Sequence, residues 1–314
     1  MERYYSTIKL LITARNKQPY LLNWNKYVED LNELCGEDII EVKGLENLIN
    51  LKRLLLGSNL LTKITNFEGL VKLQKLYLNN NKIKEIKGLE NLVNLRILNL
   101  SSNRITEIKG LKTLVNLQEL TLCFNKIRTI KGLERLVNLQ KLDLSFNKIC
   151  IIRKLDNLIK LQELNLRNNR IKRSDSTSLN KSLIKLNLCN NQLNYIYNIS
   201  ELVNLQDLNL KNNKITETRW CCIPINLQTL DISKNEIIDI DYTRILDSIK
   251  ILNFDNYDLS KIKQMKQICI KVNQKIRLYW GIMQLIRIYR NNKYKPDSTY
   301  VNKILKKRFE NNFN

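Results

Sequence analysis

The chain has no histidine in its 314 residues, which excludes Ser-His and Cys-His nucleophilic chemistry and any histidine-ligated metal site. Glycine and proline are scarce. Eight glycines and three prolines leave no GxxxxGKS, GxxxxGKT, GxGxxG or GxSxG phrase, hence no phosphate-cradling loop and no nucleophile elbow. No apolar run approaches the roughly 18 residues that a membrane span needs. The short stretch from Ile8 to Ile12 has no small-residue cleavage site after it, so a secretory leader is not expected. The seven cysteines (Cys35, Cys123, Cys150, Cys189, Cys221, Cys222, Cys269) are odd in number, scattered and without CxxC spacing. They read as thiols in a reducing compartment, and the adjacent Cys221 and Cys222 as packed thiols rather than a redox or metal pair. These absences predict a non-enzyme without cofactor or metal, intracellular (cytoplasmic or nuclear) and monomeric.

What is abundant is asparagine in one register. Asn59, Asn81, Asn103, Asn125, Asn147, Asn169, Asn191, Asn213 and Asn235 recur every 22 residues without insertion, and Tyr257 falls on the tenth beat. Around each stands one phrase, for example Leu73, Leu76, Leu78, Asn81, Ile83, or LxxLxLxxNxI, which is the leucine-rich repeat. In it LxL is a short strand with its leucines inward, so parallel copies about 4.8 Å apart stack into a continuous sheet. Apolar residues three apart on the return path, such as Ile83, Ile86, Leu89, Leu92 and Leu95, suit a 3₁₀ or irregular turn. Six or seven buried aliphatics per turn, each contributing roughly 1.5–3 kcal/mol, offset the cost of ordering only when turns stack. The asparagine belongs inside too, because the chain bends there and frees backbone N–H and C=O groups that a donor-plus-acceptor side chain can satisfy.

The fold class is therefore α/β: a leucine-rich-repeat solenoid with a curved parallel sheet on its concave side and short helical or irregular segments on its convex side. The 22-residue unit, with Gly44, Gly88, Gly110 and Gly132 in one register, resembles the Sds22-like proteins, regulatory subunits of protein phosphatase 1, and also the bacterial internalin class. The phosphatase resemblance implies a phosphatase partner held by aromatic and acidic residues of the concave face. Glu119 and Asp143 fit that pattern and Tyr77 is its one aromatic match, while the other matching positions are mostly Asn, Lys and Thr.

Three segments are expected. Residues 1–27 should be a helical cap, since Leu21 to Leu31 contains apolar residues at spacings of three and four. Residues 28–259 carry about ten to eleven repeats, beginning with a degenerate one over Leu31 to Leu48 that has Glu37 where the asparagine belongs. Its polar stretch from Lys172 to Ser178 predicts a looser return path there. Residues 260–314 show a helical period and hold 14 Lys and Arg against Asp297 and Glu310, a net 14 − 2 = +12 out of +23 for the chain. They read as a basic helical cap, with nucleic acid or an anionic membrane as the alternative partner.

The concave face is the candidate site for a protein partner. Residues flanking the strand leucines point outward, and stacking brings equivalent positions together, so Tyr77, Glu119, Thr121, Lys141, Asp143, Glu163 and Arg167 share one surface. Phe124 and Phe146 occupy the same position in consecutive repeats, one before the ladder asparagine. They either fill the sheet edge of the core or form an aromatic hot spot. Lys82, Arg104, Lys126, Lys148 and Arg170 follow the ladder asparagine in five consecutive turns, either as solvated cations or as a ridge for an acidic surface.

Overall fold

A computed structural model describes residues 7–25, 27–172, 174–175, 179–197, 199–218, 223–237, 239–240 and 248–253, with single helical positions at Gln267 and Gln274. The chain divides into a unit of residues 1–262 and one of residues 263–314. The expected basic C-terminal helix lies, apart from those two positions, outside the described residues.

The first unit is a parallel-sheet solenoid with little helix. Eleven strands pair in chain order from β3 (Asp30–Leu31) through Arg53–Leu55 to Ile251–Asn253. From Arg53–Leu55 onward, each strand pairs with the next at an offset of 22 residues, as in Glu119↔Lys141, Leu120↔Leu142 and Thr121↔Asp143. The middle residue of each strand is buried and its neighbours face out, the period-two alternation that strand geometry dictates. Behind the sheet, one coil buries Leu73, Leu76, Leu78, Ile83, Ile86, Leu89 and Leu92, none more than 4% exposed. Its return path closes through bonds three residues long, the Leu92 amide to the Leu89 carbonyl and the Leu95 amide to the Leu92 carbonyl. The apolar residues at threes therefore line one side of a 3₁₀-like path.

Asn59 through Asn213 are buried, and Asn235 is half-buried. Each ladder amide binds groups of two coils. Asn59 also closes the degenerate first coil, since its Oδ1 accepts the amides of Glu37 at 3.1 Å and Ile39 at 2.9 Å. A second asparagine ladder runs along the exposed return path, where Asn94, Asn116 and Asn138 donate to the carbonyls of Val71, Val93 and Val115 at 2.8–2.9 Å.

The N-terminal segment corrects an expectation. In place of a helical cap, β1 (Thr7–Ala14) and β2 (Tyr20–Asn25) form an antiparallel hairpin. Strand β1 also pairs antiparallel with β4 (Ile39–Lys43) on the first coil. Leu10 and Ile12 are fully buried in the common core, with Tyr20, Leu22 and Trp24 packed against it and Leu21 55% exposed. The operative period over Tyr20, Leu22 and Trp24 is thus two, and the hairpin covers the polar edge of β4 that a helix would have left unpaired.

Of the polar stretch expected to loosen the return path, Ser174–Asp175 pairs in parallel with Ile196–Tyr197. Residues 173 and 176–178 lie outside the described residues.

Candidate protein-binding face

Two parallel rows of side chains build the open sheet face and a third borders it at the sheet edge, each repeating once per coil. In the first row the sign of charge alternates: Glu119, Lys141, Glu163, Lys185, Asp207. Lys141 pairs with Glu119 at 3.9 Å and Lys185 with Glu163 at 3.5 Å, all four roughly half exposed. A groove of ≈ 420 Å³ lined by these residues, Thr121, Asp143 and their neighbours runs over the sheet. It is open and shallow, too flat to enclose a small molecule in the way ligand pockets do.

The second row is largely asparagine and aspartate, for a local reason. Oδ1 of Asn99, Asp143, Asn165, Asn187, Asn209 and Asp231 accepts the backbone amide two residues on, at 2.8–3.2 Å. These Asx turns satisfy the amides freed where each strand ends. Asp143 therefore has one oxygen engaged in its own turn by the Ser145 amide. Thr121 breaks the row.

The third row, directly before the ladder asparagines, holds its backbone in the left-handed region at every described coil: Ser58, Asn80, Ser102, Phe124, Phe146, Asn168, Asn190, Asn212 and Lys234, all with φ of 52–57°. Asparagine tolerates that conformation best among residues with a side chain, and a bulky residue loses roughly 1–2 kcal/mol in it. Phe124 and Phe146 adopt it nonetheless. Their rings stack with centroids 4.0 Å apart and planes at 11°, worth about 0.5–1.5 kcal/mol beyond area burial. That does not cover two left-handed backbones. Nor do the rings fill the core: Phe124 is 51% exposed and Phe146 half-buried. The Arg167 guanidinium sits 5.8 Å from the Phe146 centroid, at cation–π range.

The predicted residues thus fall into two groups. Glu119, Thr121, Lys141, Asp143 and Glu163 line the groove, while Phe124, Phe146 and Arg167 form a stack at the sheet edge. Tyr77 belongs to neither, lying two strands before Glu119. Sequence reading missed the left-handed row, although Asn and Ser at most of its positions were a signal for it. It also missed the exposed aliphatic row of Ile49, Val71, Val93, Val115, Val137 and Ile159 on the return path, which the 22-residue register would have revealed.

Cys123 lies beside this face, half-buried, and burial followed by the Asp143 carboxylate pushes its thiol pKa up. Burial does the same at Cys189. Among the described residues, no three Cys, Asp or Glu side chains are placed to hold a metal ion.

A family profile for paired leucine-rich repeats matches residues 49–91, 71–113, 93–135 and 115–160. A single-repeat profile matches residues 160–181. The chain is a leucine-rich-repeat protein with 22-residue repeats. No curated protein matches its sequence. Among solved structures, this leucine-rich-repeat chain resembles the functional domain of InlJ from Listeria monocytogenes, with a TM-score of 0.57 and 22% identity over 74% of this chain and 55% of that one. A leucine-rich-repeat protein of Leptospira interrogans gives 0.56 and 29% over 68% and 64%. YopM of Yersinia enterocolitica gives 0.50 and 24% over 67% and 47%. The chain spans about half the length of InlJ's domain and of YopM, and the likeness to these two is one of fold.

Proposed function

We propose that this leucine-rich-repeat chain is a non-catalytic scaffold or regulatory subunit, of the Sds22-like class and intracellular, that binds a protein partner on its open sheet face. The observation that carries this reading is the alternating row from Glu119 to Asp207 beside an exposed Phe124–Phe146 stack. Alternating charge fixes the register of a partner without demanding net charge from it, and aromatic and arginine side chains supply the anchoring energy of interfaces. Both sit on a hydrogen-bonded frame, which limits the ordering cost of binding.

Affinity capture from lysate with three full-length proteins tests it: wild type, Glu119→Ala/Lys141→Ala/Asp143→Ala, and a variant with Lys261, Lys263, Lys266, Lys271 and Lys275 changed to Gln. A discrete protein lost only with the face variant supports the reading. The second reading rests on the +12 of residues 260–314. Loss of bound nucleic acid or lipid with the tail variant alone would establish it in place of the first.

A further inference from the structure

The Phe124–Phe146 stack is closed at one end and open at the other. Phe146 has the Phe124 ring on one side and, one coil further on, the Arg167 guanidinium on the other. Phe124 has a stacked ring on one side only and is 51% exposed. At the equivalent place in the preceding coil stands Ser102, whose φ of 52° matches the 54° of Phe124 but whose side chain is only a hydroxymethyl. One coil earlier again, Asn80 turns its amide away from Ser102, donating to Ser58 Oγ at 3.3 Å. Between Phe124 and Asn80, two strand spacings or roughly 10 Å apart, lies a slot with Ser102 as its floor. A planar ring placed there continues the stack at the spacing that the two phenylalanines already show.

The cations beside the slot indicate what carries the ring. Arg104 and Lys126 each follow a buried ladder asparagine, two residues after Ser102 and Phe124 respectively, and both are exposed. With Lys82, Lys148 and Arg170 they repeat once per coil along the same edge. Among the described residues none of the five forms an ion pair. Glu119 and Glu163, by contrast, are paired to lysines on the sheet.

Resting on the protein-binding reading above, we propose that the Ser102 slot takes one aromatic side chain from an acidic segment of a protein partner, whose carboxylates lie along Arg104, Lys126 and Lys148. A single-stranded nucleic acid fits less well, because successive bases need successive open ring faces and this stack offers one.

Fluorescence anisotropy with full-length protein and three labelled probes tests this: the pentapeptide Asp-Glu-Trp-Glu-Asp, the same peptide with leucine for tryptophan, and a short oligothymidylate. The tryptophan peptide should bind roughly two- to twelvefold more tightly than the leucine peptide, the range expected of one stacked ring. Ser102→Phe, which fills the slot from within, should erase that difference while still unfolding in one cooperative transition, lowered at most by the left-handed penalty of a bulky residue. If it does not fold, Phe124→Asn should erase it too, since asparagine occupies this row at Asn80 and Asn168. Arg104→Gln with Lys126→Gln should weaken both peptides alike, more so at low salt. Equal binding of the two peptides, no binding of either, or an unchanged preference in the variants overturns the proposal. So does an oligothymidylate that outbinds the tryptophan peptide and is lost in Ser102→Phe. A partner captured from lysate that needs Glu119 and Lys141 but tolerates Ser102→Phe removes the slot alone and leaves the face reading standing.

Discussion

Oδ1 of Asn125 accepts the amide of Ile105, one coil earlier, at 2.9 Å, so a side chain of one repeat completes the backbone of another. The same residue donates through Nδ2 to the carbonyls of Leu100, Leu122 and Cys123 at 2.9–3.2 Å. Asn125→Ala leaves the buried Ile105 amide without a partner, at a cost of about 1–3 kcal/mol, whereas the Leu100, Leu122 and Cys123 carbonyls still accept from Asn103, Asn147 and the Ser102 amide. A loss of that order is expected in denaturant unfolding. Asn235, half-buried with the same bonds, is reached by water and should lose less on the same substitution. Equal losses at the two sites, or none at Asn125, would contradict a ladder whose value comes from burial.

This ladder was legible in the sequence because period and chemistry coincide: one position per 22 residues, always the side chain that both donates and accepts. The hairpin of Thr7 to Asn25 was not. Leu21, Leu22 and Trp24 satisfy a helical spacing and, with Tyr20, an alternating one, and only the open edge of β4 decides between them. The candidate site was legible as a set of outward positions. Its division into a charged groove and an aromatic stack depends on backbone handedness before the ladder asparagine, which residue type signals at Asn80 or Asn168 but conceals at Phe124 and Phe146. The second asparagine ladder shared the same register in plain view. Its role needed the return path, which alone brings Asn116 to the carbonyl of Val93.

Two left-handed glycines make a graded prediction. Gly110 has φ +77°, and a Cβ there would lie 2.2 Å from the carbonyl oxygen of Ile86, whereas Gly36 has φ +80° and nothing within 4 Å. Gly36→Ala should therefore lose only the left-handed penalty, about 1–2 kcal/mol. Gly110→Ala should lose that and more, because backbone must move. In the register of Gly110 and Gly132, Lys154 adopts φ 58° without being glycine. Lys154→Gly is expected to gain about 0.5–1 kcal/mol, the relieved strain less the entropy glycine adds to the unfolded chain. Chemical denaturation of the three variants checks the order, and a destabilised Lys154→Gly would show that the strain is not there.

Stability and recognition should separate on the sheet face. Glu119 and Lys141 are roughly half exposed and 3.9 Å apart, and such surface pairs contribute about 0–1 kcal/mol. The melting temperature of Lys141→Ala should stay close to that of wild type, with little dependence on salt. Capture of a partner by the same variant should fall. A variant that melts well below wild type would mean that the charge row holds the sheet together rather than facing a ligand.

The thiols provide a pH-dependent test. Reactivity follows the thiolate, whose population falls as burial raises a thiol's pKa. Cys123 and Cys189 are shifted up by burial, whereas Cys35 and Cys150 are exposed. Brief alkylation near about pH 8, followed by peptide mapping, should modify Cys35 and Cys150 first and the other two only after denaturant. The sign for stability follows from the same shift. The folded chain holds the Cys123 proton more tightly than the unfolded chain does, so this contribution is complete below the unfolded thiol pKa and lost as pH rises through the folded one. Thermal stability should decline above about pH 8.5, and Cys123→Ser should decline less. If Cys123 is alkylated as fast as Cys35 in the native state, the edge of the sheet beside Phe124 opens to solvent, and the stack it adjoins cannot be a fixed wall.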